Sequence, residues 1–374
     1  SDLSQPFRTH QPMLDKSGDG NSSSASSAAT KKSSLWLLRP LGGGSMETLS
    51  TLCCQSNRTG NGLRLASPIN TGTIRSGCPP AGADWPNPLL LAQKGIAAEL
   101  VPVTSEGDQD LVTPLYSFGV QGVFTRTLDA HLLSKRVDIA VHSMKDVPVD
   151  LPQGISPLAV LKRGDWQDIL VLNEKHAGKD WNELSMSPLV IATSSIRRRA
   201  QWLNRYPHHT MHDLRGNVAT RLRKIGEQGW DGAIFARAGL SRIGLMPPHA
   251  FDLDWMLPAP AQGAIMIVRR TEDNETARIG EWLNDRNTAI CVKVERDFLR
   301  ALLGGCATPI SGHASIVNDK VHFRGNVFSP DGKERAMVEM DEKAVFAHDF
   351  GKQAADLLIA HGGDRILTKL QQGG

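Results

Sequence analysis

At 374 residues with a 40% hydrophobic content, the chain is long enough for two or three domains with ordinary cores. No apolar run approaches the length of a membrane span, and a formal charge of +3 is too mild to imply nucleic acid by itself. The arginines cluster at 197–199, 215–223 and 237–242, which points to a small polyanionic ligand more than to a duplex.

The five cysteines are Cys53, Cys54, Cys78, Cys291 and Cys306. Their number is odd, one pair is adjacent, and no Cys-x-x-Cys spacing occurs, which argues against a disulfide framework or zinc site and for a reducing compartment. His208-His209-Thr-Met-His212 lacks a companion ligand cluster, so no metal is expected.

Residues 1–61 do not read as a folded domain. Ser22 to Ser27 is Ser/Ala-rich, Gly42-Gly-Gly44 follows, and no period of 2 or 3.6 is sustained. The arginine-rich amphipathic pattern of a transit peptide is weak, so a disordered extension or an over-long reading is expected, with Met46 as an alternative start. Leu63 to Ala66 and Ala97 to Val103 read as the first two strands. The intervening Pro68 to Pro88 carries five prolines and three glycines without a helical stripe. Each interior proline costs about 3 kcal/mol in a helix, so none is predicted before about Leu89.

Beyond Thr104 the pattern turns regular. Phe124 to Leu133 reads as an amphipathic helix, and Val137 to Val141 as a buried parallel strand. That strand delivers His142-Ser-Met-Lys145-Asp146 into a loop where Pro148 blocks an immediate helix, at the end where open α/β sheets bind ligands. Taken alone, a Lys-Asp pair there reads as a solvated turn. Strands are predicted at Ile155–Leu161 and Asp168–Leu172, with a crossover to a second lobe near Gly164-Asp165-Trp166. Leu189 to Ser195 reads as a strand and polar turn leading into a helix from Ile196. A strand end at His212–Arg215 leads to a helix over 217–225, and a strand at Gly232–Ala236 to a helix from Ala238. Gln262 to Val268 reads as a late strand returning to the first lobe. A helix over 289–303, strands at 313–317, 321–328 and 334–340, and a closing helix over 345–360 complete the chain.

This alternation predicts an α/β fold of two lobes plus a small α+β C-terminal domain: an extension at 1–61, a first lobe from 62–163 and 259–284, a second lobe over 164–258, and a third unit over 285–374.

Three stretches carry candidate chemistry. Thr193-Ser194-Ser195-Ile-Arg197-Arg198 places hydroxyls at a helix N-cap and guanidinium groups in the first turn, an anion-binding corner. The helix dipole disfavours arginines there, so an anion is the natural offset. Arg215-Gly216-Asn217-Val-Ala-Thr-Arg221 repeats the device, and Arg242 adds a cation from the next unit. Gly304-Gly-Cys306 presents a thiol on a glycine loop; a lone cysteine is more often a core filler, and the glycines shift that balance.

His142-Ser-Met-Lys-Asp, Thr193-Ser-Ser-Ile-Arg-Arg, Leu214-Arg-Gly-Asn-Val-Ala-Thr-Arg-Leu and Gly304-Gly-Cys, in that order, resemble porphobilinogen deaminase (hydroxymethylbilane synthase) from about Ala97 to the C-terminus. The resemblance implies lobes like those of type II periplasmic binding proteins, a dipyrromethane cofactor joined by thioether to Cys306, and stepwise condensation of four porphobilinogens into hydroxymethylbilane with loss of ammonia. It also implies a cytoplasmic monomer that acts on a small molecule, with no nucleic-acid or membrane partner. Expulsion of ammonia leaves an electron-poor azafulvenium, and Asp146 is the candidate carboxylate that stabilises it and assists proton transfer. Lys145, Arg197, Arg198, Arg215, Arg221 and Arg242 are candidates for binding carboxylates. Thr193, Ser195 and the backbone near Asn217 would complete the cradle, and Gln262 matches a cleft-lining position.

The sequence departs from the family after its first strand, where an Arg-x-Ser-x-Leu-Ala motif is missing and Pro68-Ile-Asn-Thr-Gly stands instead. Loss and recovery over one bounded stretch predicts compensating frameshifts; the coding DNA read in another frame should restore the motif, and its failure to do so would reject the idea. Arg75 does not match the missing arginine by position. Ser117 and Gln121 stand where many relatives have lysines, with Arg126 keeping a cation nearby. The competing reading is a non-catalytic two-lobed anion receptor with a damaged first lobe, which would need neither Asp146 nor Cys306. A nucleic-acid role lacks interleaved aromatics.

Overall fold

The computed structural model describes residues 63–68, 91, 96–103, 125–302 and 308–372. The extension at 1–61, the proline-rich stretch over 69–88 with Arg75, Ser117, Gln121 and the Gly304-Gly305-Cys306 loop lie outside the described residues.

In chain order the first lobe holds β1 (Leu63–Pro68), β2 (Ala98–Val103), α1 (Arg126–Leu133), β3 (Ile139–Ser143) and β4 (Ile155–Val160). The second holds β5 (Asp168–Leu172), α2 (Trp181–Leu184), β6 (Val190–Ala192), α3 (Ile196–Arg205), β7 (Thr210–His212), α4 (Val218–Glu227), β8 (Gly232–Ala236), α5 (Arg237–Ser241) and β9 (Ala250–Asp252). β10 (Ile265–Arg270) then returns to the first sheet, followed by α6 (Asn274–Leu283) and α7 (Arg286–Ala301). The chain closes with β11 (Ile310–Val317), β12 (Lys320–Phe328), β13 (Arg335–Lys343), α8 (Phe350–Leu358) and α9 (Asp364–Gln372).

The strand orders are β2-β1-β3-β10-β4 in the first sheet and β7-β6-β8-β5-β9 in the second. In each, three strands pair in parallel and the fourth position runs against its neighbours. That antiparallel strand, β10 or β5, is the one fed by a crossing between lobes. The two crossings run beside one another: Gly164 N–H donates to Gly263 O at 3.3 Å, and Leu253 N–H to Asp168 O at 2.9 Å. Their approach is close enough to require Gly263, whose φ is +85° and whose hypothetical Cβ would lie 2.7 Å from Asp165 O.

The central strands are continuous apolar runs because both sheet faces are covered. Ile139, Ala140, Ile169 and Leu170 are fully buried. Met266 and Val268 of β10 belong to one core with Leu128 and Leu132 of α1, while Ile265 and Ile267 belong to another with Ile139 and Val141 of β3. The third unit is an antiparallel meander, β11-β12-β13, whose apolar face is covered by α7 and α8. Phe298 and Phe323 meet there edge to face at 4.9 Å between ring centroids.

The helix predicted over 289–303 begins earlier, at Arg286, because Asp285 caps it: its Oδ1 accepts from Thr288 N at 2.8 Å. The closing helix ends at Leu358; Gly362, with φ +92°, breaks the run before α9.

Candidate active site

At the carboxyl end of β3 the chain makes a single 3₁₀ turn, Met144–Asp146, with Val147 N–H donating to Met144 O at 3.2 Å. Met144 N–H donates to Ala264 O at 3.0 Å, so the turn stays tied to the strand that crosses back from the second lobe. Lys145 and Asp146 are half-buried on this turn. Burial lowers the Lys145 pKa below its ordinary value, Asp146 opposes that shift, and Arg197, Arg198 and Asp168 also act on the ammonium. Through Ala264 the Lys-Asp turn is tied to the crossing that carries Gln262, which in turn touches Asp168 in the arginine corner of the second lobe.

That corner is built as predicted and charged differently. Ser195 caps α3, accepting from Arg198 N at 3.4 Å, while Thr193 Oγ1 accepts from Ser195 N at 3.3 Å. Arg197 and Arg198, however, turn inward to Asp168, the fully buried first residue of β5. Arg197 Nη1 lies 2.7 Å from Asp168 Oδ2, and Arg198 Nη2 lies 2.7 Å from Oδ1. Arg197 also donates to Leu257 O at 2.6 Å and Arg198 to Ile234 O at 3.1 Å. Burial raises the Asp168 pKa, but the two guanidinium groups outweigh it and hold the carboxyl well below the usual carboxylate range. One buried carboxylate thus offsets part of the charge on which a ligand would draw. Gln262 belongs to the same cluster: it is 1% exposed, and its Nε2 donates to Asp168 Oδ1 and Trp166 O, both at 2.8 Å. It stands behind the arginines and supports their counter-ion.

The second arginine corner adjoins the first. Ser194 Oγ lies 2.8 Å from both Leu214 N and Leu214 O, which fixes Arg215 beside the Thr193–Ser195 turn. Gly216 has φ +113°, in the left-handed region glycine favours. Asn217 caps α4 through Oδ1 and Thr220 N at 2.8 Å, and Arg221 Nε reaches back to Gly216 O at 2.6 Å. Arg242 Nη2 donates to Gly263 O at 2.8 Å, which places it on the crossing next to Gln262. Thr193, Ser195, Arg197, Arg198, Arg215, Asn217 and Arg221 stand on adjoining turns of the second lobe, Arg242 and Gln262 at the crossing beside them, and Lys145 and Asp146 on the turn tied to that crossing at Ala264; Cys306 lies outside the described residues.

Sequence reasoning missed the supports. Asp168 was legible as an acid opening an apolar strand, which burial alone would not tolerate. Glu295 is fully buried on α7 and accepts from Arg163 Nη1 at 2.6 Å, Ala261 N at 2.6 Å and Ala314 N at 2.7 Å. Beneath the turn, His142 Nε2 lies 3.7 Å from Asp129 Oδ1. Burial pushes His142 down to about 4 and Asp129 up to about 6. Cys291 is the cysteine among the described residues; burial, with Glu295 adding, pushes its thiol up to about 12, so it is protonated and unreactive. Among the described residues no cluster of three or more His, Cys, Asp or Glu is placed to hold a metal, and no helix is long and apolar enough to cross a membrane.

Comparison with known proteins gives the family. Residues 69–278 match the family model "Porphobilinogen deaminase, dipyromethane cofactor binding domain", and residues 289–360 match "Porphobilinogen deaminase, C-terminal domain". The first match starts well before Ala97, where the resemblance was read to begin, and so enters the proline-rich stretch. The porphobilinogen deaminase of Acidithiobacillus ferrooxidans is 39% identical over 285 residues, covering 76% of this chain and 91% of that protein. That of Syntrophotalea carbinolica is 37% identical over 308 residues, covering 82% and 96%. Among solved structures, the periplasmic VFT2 domain of Bordetella pertussis BvgS aligns at 14% identity and TM-score 0.36, covering 61% of this chain and 88% of that one. At that score the likeness carries no weight, and the two-lobe architecture rests on the strand orders. By two family models and by relatives matched over nearly their whole length, this chain belongs to the porphobilinogen deaminase family.

Proposed function

We propose that Asp146 is the catalytic carboxylate of this porphobilinogen deaminase and that Cys306 is the thioether attachment point of its dipyrromethane cofactor. The family reaction condenses four porphobilinogens head to tail into hydroxymethylbilane, releasing ammonia. The observation that carries the reading is that the Lys145–Asp146 turn is tied through Met144 N–H to Ala264 O, on the same crossing whose Gln262 holds Asp168, the counter-ion of Arg197 and Arg198.

The donor set fits a ligand rich in carboxylates. Lys145, Arg215, Arg221 and Arg242 supply cations, and the capped helix starts at Ser195 and Asn217 supply hydroxyl, amide and positive dipole ends. Arg197 and Arg198 act with Asp168 as a rigid wall, contributing less charge than two independent arginines. When bound, the cofactor supplies the primer on which substrate units are joined; these residues would hold its acid side chains.

Asp146 faces the substrate step. As the C–N bond of the protonated aminomethyl group breaks, the electron pair leaves with nitrogen as ammonia and the positive charge passes to the pyrrole. A carboxylate beside the pyrrole N–H accepts its hydrogen bond and stabilises that charge in a partly dehydrated site. The same group then assists removal of the proton from the pyrrole α-carbon that has attacked this methylene and formed the new C–C bond. Lys145 beside it anchors a substrate carboxylate and fixes the ring. The cysteine usage supports a reducing, cytoplasmic setting, and a monomer is what the family resemblance implies.

Intact-mass measurement on the purified chain and on Cys306→Ser tests the attachment. The expected result is an excess mass of one dipyrromethane unit on the wild type and none on the variant. An excess retained by Cys306→Ser, or absent from both, would reject it.

A further inference from the structure

We propose that Arg296 of α7 is a positioning residue that sets where Asp146 stands. Four carbonyls surround the Lys145–Asp146 turn with few backbone donors to satisfy them, because Pro148 has no N–H and the turn makes no ladder. The Arg296 guanidinium, 9% exposed, gathers them: Nη1 donates to Val147 O at 3.0 Å and, more weakly, to Met144 O at 3.4 Å. Nη2 donates to Pro148 O at 2.5 Å and Val149 O at 3.0 Å. The contacts fall on both sides of Asp146, two residues before it and one, two and three after it. A five-donor planar fork can do this; a lysine ammonium in the same place cannot span it.

The helix that carries the fork is itself fixed. Glu295, the preceding residue, is locked to Arg163, to Ala261 of the crossing and to Ala314 of β11. One turn later Arg300 reaches Val149 O at 3.1 Å at the exposed rim of the same contact. α7 ends at Ala301, five positions before Cys306 in the sequence. On the reading that Asp146 is catalytic, on which this proposal rests, the helix fixed at Glu295 therefore also positions the catalytic turn.

The test compares Arg296→Lys with Arg300→Ala and Asp146→Asn in the full-length, cofactor-loaded enzyme, reading kcat and KM for porphobilinogen, the pH profile of kcat, and Tm. The expected result for Arg296→Lys is a kcat lower by roughly tenfold or more, KM within about threefold, and a displaced acidic limb, as for a misplaced catalytic group. Arg300→Ala should keep kcat within about twofold. If Arg296→Lys lowers Tm but leaves kcat and its pH profile unchanged while Asp146→Asn is inactive, the arginine is merely structural and the proposal fails alone. If Asp146→Asn keeps full activity, the underlying reading fails instead. Where Arg296→Lys does not accumulate as folded protein, Arg296→Gln, which keeps two donors, is read against the same outcomes.

Discussion

Replacing Asp168 by Asn removes one charge from the centre of the second lobe while keeping its shape. The carboxylate is fully buried and holds Arg197 at 2.7 Å, Arg198 at 2.7 Å and 3.1 Å, and Gln262 at 2.8 Å. Without it, two guanidinium groups, 5% and 7% exposed, face each other with no shared anion. Breaking a buried ion pair costs about 3–5 kcal/mol, and two cations on one anion place this case near the upper end. The pH dependence has a fixed sign. Because the folded carboxyl titrates below its ordinary value of 3.8, its stabilisation is complete above that value and is lost as pH falls below it. Urea unfolding followed by tryptophan fluorescence should therefore show Asp168→Asn about 4 kcal/mol less stable at pH 7, with the gap to wild type narrowing by about 1 kcal/mol at pH 3. A variant within about 1 kcal/mol of wild type at pH 7, or a gap that widens in acid, would refute the assignment of Asp168 as counter-ion to both arginines.

Three further outcomes follow from buried groups. His313 packs against Trp166 with ring centroids 4.0 Å apart and the planes tilted by 32°, and burial, with Arg163 and Arg324, holds its pKa down to about 3. Its neutral form is favoured by folding, so the stability it contributes is complete above 6.5 and is lost as pH falls toward 3. Between pH 7 and 4, wild type should lose on the order of 2–3 kcal/mol more than His313→Phe in urea unfolding; parallel losses would contradict this. Glu295→Gln leaves Arg163 without its buried partner and should cost about 3–5 kcal/mol, read as a lower unfolding midpoint in calorimetry; an unchanged midpoint would contradict it. Gly263→Ala places a Cβ 2.7 Å from Asp165 O at a φ of +85° and should cost about 1–3 kcal/mol from the backbone alone, against no change if the crossings are looser than described.

Much of the architecture was legible because both lobes use buried strands with bounded apolar runs. Ile139 to Val141, Asp168 to Leu172 and Gly232 to Ala236 each stood out by length and flanking turns. The three-residue β9 and the helices α6 and α9 did not, since short or strongly charged segments carry little periodic signal. In the site, the caps at Ser195 and Asn217 were readable from local chemistry, which depends only on neighbours in sequence. The partners of Arg197 and Arg198 were not: Asp168 lies 30 positions from Arg198, and nothing local tells whether a cation turns to a ligand or to a buried acid. Arg296 is the extreme case, reaching carbonyls 147 to 152 positions away with a side chain that reads as one charge among many on a helix.

Ammonia release in a single turnover, measured on wild type and Asp146→Asn carrying equal cofactor by intact mass, bears most directly on the role given to the Lys145–Asp146 turn. The expected result is release slower by roughly 10²–10⁴-fold in the variant, with substrate binding retained. Release within about fivefold of wild type would show that another group stabilises the departing charge.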